Sequence, residues 1–136
     1  MAKSIDAAVR RRAKQACEYC RMPQALYRYR FQIDHIIAEK HRGKAVLSNL
    51  ALACLHCNSL KGPNIAGLDE VTGKIVRLFN PRRDRWIRHF QWDGPNLFGR
   101  TSIGRVTVAV LNINDPDFVL AREELIREGL FRSADL

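Results

Sequence analysis

The chain has 136 residues, with 23 Lys and Arg against 14 Asp and Glu, giving a formal net charge of +9. That length suits one domain with a modest core, and the positive charge points to a polyanionic partner. No apolar run approaches the roughly 20 residues of a helical membrane span, which sets a membrane role aside. The charge is uneven: residues 1–50 hold 11 basic and 4 acidic side chains, residues 51–136 hold 12 and 10.

Taken in chain order, residues 4–16 predict a helix capped by Ser4, with Asp6 near its positive end. Arg10, Arg11 and Arg12 give it a basic face, which reads equally as a DNA-backbone contact and as a solvated surface. The pair Cys17-x-x-Cys20 follows, and Met22-Pro23 breaks the chain. Tyr27, Arg28, Tyr29 and Arg30 alternate aromatic and basic residues, a pattern that suits phosphate contact and stacking and also fits a two-faced solvated strand. Phe31 to Ile37 predicts a strand with Phe31, Ile33 and His35 on one face. A charged loop, Ala38 to Leu47, leads to a second strand over Leu50 to Ala53. The second pair, Cys54-x-x-Cys57, precedes a helical turn that starts at Asn58 and is interrupted by Gly62-Pro63.

The rest of the chain carries less chemistry. Asp69 to Gly73 reads as a turn before a strand from Lys74 to Phe79. Arg82, Arg83, Arg85 and Arg88 form a second basic cluster, in which Trp86, like Trp92 beyond it, is assigned to packing rather than base stacking. Asp93-Gly94-Pro95 sits between two apolar stretches and predicts a hairpin. Thr101 to Leu111 reads as a helix capped by Thr101, with Val106, Val108 and Val110 also permitting a strand, and Asp115-Pro116 starts a final helix running to about Arg127 and ended by Gly129.

The cysteines fit either two disulfides or one metal site. Met1 to Arg12 is basic and lacks a continuous apolar core, so no secretory leader is read there and the expected compartment is cytoplasmic. Thiols stay reduced in that setting, which favours Cys17, Cys20, Cys54 and Cys57 as four ligands of a structural zinc. The 33 residues between the pairs exceed the roughly 15–20 of a zinc ribbon and leave room for a β-hairpin and a loop. A zinc there would clamp Asp34-His35 against the segment that begins with Asn58. Asp34 is a hard carboxylate suited to a divalent cation, and an imidazole such as His35 titrates near neutrality, as a general base should.

Asp34-His35-Ile36-Ile37, then Asn49-Leu50, then Cys54-x-x-Cys57-Asn58-x-x-Lys61-Gly62 resembles the HNH endonuclease family of the four-cysteine zinc type. The resemblance implies an α+β fold with a ββα-metal core, in which a hairpin and a helix sandwich one divalent cation, and it implies hydrolysis of DNA phosphodiesters. Residues 1–136 are read as one nuclease domain: a basic helix over 1–16, a zinc-clamped core over 17–66, and an extension of hairpin and helices over 67–136. Carried onto this sequence, the motif makes His35 the general base and has Asn49 hold it by bonding across the loop. It gives Asp34 and Asn58 the catalytic cation. Asn stands at position 58 where the family usually has His, and an amide oxygen ligand favours Mg²⁺ or Mn²⁺. Lys61, Arg10, Arg11, Arg12, Arg28 and Arg30 are the candidate DNA contacts. The competing reading is a zinc-stabilised nucleic-acid-binding module without cleavage. Oligomeric state is not legible in the sequence.

Overall fold

The structure is a computed structural model, and it describes residues 2–131. Among these lie five α-helices and three two-stranded antiparallel sheets, which is an α+β fold. The chain separates into two compact units, Met1–Ile65 with Asn80–Asp84, and Ala66–Phe79 with Arg85–Leu136. Every candidate site residue lies in the first. Among the described residues no helix is long and apolar enough to cross a membrane.

In the first unit, α1 spans Lys3–Arg12. Its N-cap is Ala2, with no side-chain cap, so the helix starts two residues earlier than a Ser4 cap would set it. It also stops four residues before the expected end, because Lys14 and Gln15 adopt positive φ (+56° and +57°) and turn the chain into the first cysteine pair. That pair is a tight knuckle: Cys17 N–H donates to Met22 O (2.9 Å) and Arg21 N–H to Cys17 O (2.9 Å). Strand β1 (Gln32–His35) is shorter than predicted and pairs with β2 (Leu50–Ala53), with Asp34 opposite Ala51 and His35 opposite Leu50. All four residues of β2 are buried. Its outer edge is satisfied by Glu18, whose N–H donates to Leu52 O (2.8 Å) while its carboxylate accepts from Leu52 N–H (2.8 Å). Helix α2 (Leu55–Lys61) begins inside the second knuckle, not after it, because Cys54 is its N-cap.

The second unit contains the hairpin β3 (Ala66–Asp69) and β4 (Lys74–Arg77), a short helix α3 (Trp86–His89), the hairpin β5 (Phe90–Asp93) and β6 (Asn96–Gly99), and helices α4 (Ser102–Val110) and α5 (Pro116–Arg127). Thr101 caps α4 by accepting from Gly104 N–H, and Asp115 caps α5 by accepting from Asp117 N–H. Gly104 is required by packing, since a Cβ there would lie 2.0 Å from His89 O. Trp86 stacks obliquely on Phe90 and Trp92, and Arg122 lies over the Trp92 ring at 5.4 Å, so both tryptophans belong to this unit's aromatic packing. Of the second basic cluster, Arg82 falls in the 80–84 segment that joins the first unit, where it pairs with Glu18.

Candidate functional site

The four cysteines converge. Their sulfurs all lie within 4.8 Å of one another, all four residues are buried, and none is in a disulfide. Cys20 Sγ and Cys54 Sγ, one from each knuckle, are 3.8 Å apart. Tetrahedral zinc with Zn–S near 2.3 Å requires sulfur–sulfur edges of about 3.8 Å, so this edge already has the metal's spacing. Within each knuckle the second cysteine's N–H points at the first cysteine's sulfur, at 3.5 Å for Cys20 and 3.4 Å for Cys57, which orients the ligands. The donor set fits a structural zinc. Its effect is to tie the turn after α1 to the start of α2, with the β1–β2 hairpin between them.

Asp34 sits at the centre of the unit. It is 4 % exposed, the most buried residue of β1, while Ile33 and His35, which the alternation put on one face with Phe31, are half-buried. Its burial has a cause in its partners. Tyr19 donates its hydroxyl to Asp34 Oδ2 (2.7 Å), and Lys61 donates its ammonium to Oδ1 (3.2 Å), with Oδ2 3.1 Å away. Lys61 also donates to His35 O (3.0 Å). Burial raises the Asp34 carboxyl above its usual range against the opposing pull of Lys61 and Tyr19. Burial and the adjacent Asp34 push the Tyr19 phenol well up, which keeps it a proton donor. Tyr19 escaped the sequence reading. Its only signal was its position inside the Cys17-x-x-Cys20 knuckle.

His35 is half-buried, and its Nε2 is a buried atom with no hydrogen-bond partner. The nearest carboxylate is Glu39, with Oε1 3.5 Å from Nε2, beyond good hydrogen-bond length. The loop after His35 is held by Asn49, whose side chain accepts from Ile37 N–H (2.9 Å) and donates to Ile37 O (2.9 Å) and Lys44 O (3.0 Å). The main chain adds Ile36 N–H to Asn49 O at 2.9 Å. Gly43 belongs to the same closure, because a Cβ there would lie 1.6 Å from Ile37 O.

Asn58 lies on α2 one turn before Lys61, a spacing that shares a helix face. That face meets β1 through Lys61. Asn58 is half-buried.

The basic residues divide into two groups. Arg10 is buried, paired with Asp6 (2.6 Å) and bonded to Phe31 O (2.9 Å). Arg12 donates to Leu47 O (2.9 Å) and Leu50 O (2.6 Å). Both guanidiniums thus fasten α1 to the hairpin, and Lys61, 1 % exposed, likewise faces inward rather than toward a phosphate. Arg11, Arg28 and Arg30 are exposed. An open groove of about 840 Å³ runs along α1, lined by Lys3, Arg10, Arg11, Lys14 and Arg30 with Asp6.

A β-hairpin and a following helix, with four cysteine sulfurs gathered within metal-binding distance, define an α+β fold with a candidate metal centre. Residues 17–64 match the family model described as HNH endonuclease. No curated protein and no solved structure matches the chain.

Proposed function

We propose that the protein is a metal-dependent HNH endonuclease that hydrolyses DNA phosphodiester bonds, with a structural zinc on Cys17, Cys20, Cys54 and Cys57 and a separate Mg²⁺ or Mn²⁺ held by Asp34 and Asn58. The observation that carries the reading is His35 Nε2, a buried nitrogen left without a partner at the end of β1, inside the segment that matches the family. A bound divalent cation would supply charge neutralisation at the phosphate and at the leaving oxygen. The chain's residues do the rest. His35 takes the proton of the attacking water as its oxygen bonds to phosphorus and the phosphorus–ester oxygen bond breaks. Asn49 fixes the loop that follows His35 and so limits how the strand end moves. Lys3, Arg11, Lys14 and Arg30 offer positive charge along one groove for the DNA backbone, with Arg28 exposed nearby in sequence. In this reading all of 1–136 serves one nuclease, with 67–136 as its extension.

A second reading has one observation in its favour. The Asp34 carboxylate is already engaged by Lys61 and Tyr19, an arrangement that also suits a nucleic-acid-binding module without cleavage. Plasmid incubation with Mg²⁺, Mn²⁺ or EDTA separates the two. Cleavage is expected with the divalent ions and not with EDTA, and His35→Ala is expected to abolish most of it while zinc content and DNA affinity stay near wild type. A His35→Ala protein that cuts as fast as wild type leaves the binding module as the better reading.

A further inference from the structure

Lys61, a candidate DNA contact in the sequence, is buried against Asp34 instead. It is 1 % exposed, and its ammonium is 3.2 and 3.1 Å from the two oxygens of Asp34 and 3.0 Å from His35 O. Among the described residues no second carboxylate bonds Lys61 or Asp34. Tyr19, the third member of the cluster, donates a neutral hydroxyl. The next acid, Glu39, has an 80 % exposed side chain and is screened by solvent. The buried charges at the candidate cation site therefore sum to zero before any ion arrives.

We propose that Lys61 is a resident counter-charge that makes the catalytic divalent ion and the DNA phosphate bind this site together, so that the ion binds the free protein weakly. The inference rests on the metal-dependent nuclease reading above and adds a coupling to it. A divalent cation approaching Asp34 and Asn58 meets one carboxylate already neutralised and an ammonium of its own sign a few ångströms away. A phosphodiester brings the missing negative charge, so each partner improves the site for the other, by the same factor in both directions. Lys61 persists there because Asp34, buried as it is, would be destabilised without a partner, and because the last turn of α2 favours a cation. A lysine that only fastened α2 to β1 would affect folding and leave the coupling between ion and DNA untouched.

The test is Mn²⁺ binding, followed by the electron paramagnetic resonance of free Mn²⁺, to zinc-loaded His35→Ala protein with and without a short DNA duplex. DNA is expected to tighten Mn²⁺ binding about tenfold or more, and Mn²⁺ to tighten DNA binding by the same factor in a separate titration. With Lys61→Met added, Mn²⁺ should bind the free protein more tightly and the coupling should shrink, whereas Lys61→Arg should preserve it. If Lys61→Met fails to load zinc, the protein that retains Lys61 decides alone. Mn²⁺ affinity there that is equal with and without DNA overturns the counter-charge role while leaving the nuclease reading standing. No Mn²⁺ binding under either condition, with zinc intact, removes the nuclease reading and this inference with it.

Discussion

Asn49 holds both main-chain polar groups of Ile37, accepting from its N–H and donating to its O at 2.9 Å each. A side-chain amide thus does for this loop what a strand neighbour does in a sheet, two residues beyond His35. Asn49→Ala removes these bonds and the one to Lys44 O, at a site where water can replace part of the loss. A destabilisation of about 1–2 kcal/mol is expected, together with a large fall in cleavage. Asn49→Asp keeps the acceptor and loses both donations, so it should fall between the two in chemical-denaturation midpoint. Equal midpoints for all three proteins would mean that the loop is held by something else.

The zinc prediction follows from the sulfur spacing. Purified protein should contain one zinc per chain, and serine at Cys17, Cys20, Cys54 or Cys57 should abolish it along with the circular dichroism of α1 and α2. Structural zinc supplies folding free energy directly, so partial retention of structure is not expected. Metal analysis without zinc, with all four thiols titratable in the native protein, would rule this out.

Arginines that are adjacent in sequence should behave differently. Arg10→Ala and Arg12→Ala each strip hydrogen bonds from carbonyls of the hairpin and should destabilise the protein by about 1–3 kcal/mol. Arg11→Ala and Lys14→Ala should leave stability within about 0.5 kcal/mol. They should instead weaken DNA binding and flatten its salt dependence by about 0.9 in log–log slope per lost phosphate contact. Denaturation and fluorescence-anisotropy titrations measure the two effects separately, and the division of roles is wrong if Arg10 and Arg11 variants give the same pair of results.

In the second unit, Asp69 accepts from Arg105 Nε (3.1 Å) and Nη2 (2.9 Å), from Thr72 Oγ1 (2.8 Å) and from Val71 N–H (3.3 Å). The Arg105 hydrogen bond chiefly holds this carboxyl well below its ordinary value of 3.8. Since the folded-state value is the lower one, the stabilisation is fully present above pH 3.8 and is lost as pH falls below it toward the folded-state value. Trp86 and Trp92 are the chain's two tryptophans and both lie in this unit, so their fluorescence reports on it. Asp69→Asn should unfold more easily at neutral pH and show a shallower loss of stability below pH 3.8. An acid branch as steep as wild type's would place the pH sensitivity elsewhere.

The features that the sequence determined alone are those carried by short spacing. Cys-x-x-Cys fixes two thiols on one tight turn. Asp34-His35, Asn49 and Asn58 are singled out by their resemblance to the HNH pattern. The capping of α4 and α5 was legible because Thr101 and Asp115 bond to backbone within three residues of themselves. Where the signal was weak the reading failed locally: β3, Ala-Gly-Leu-Asp, has little strand propensity and forms because β4 pairs with it. The tertiary structure alone decided what the charged residues do. Lys61 is 27 positions from Asp34, Tyr19 is 15 from it, and Arg12 is 38 from Leu50. No periodicity links such positions. They meet because the two knuckles converge and the hairpin folds between them. Burial then settles the outcome, since a carboxylate or guanidinium taken out of water persists only beside a partner, and which partner is near is a property of the packed chain.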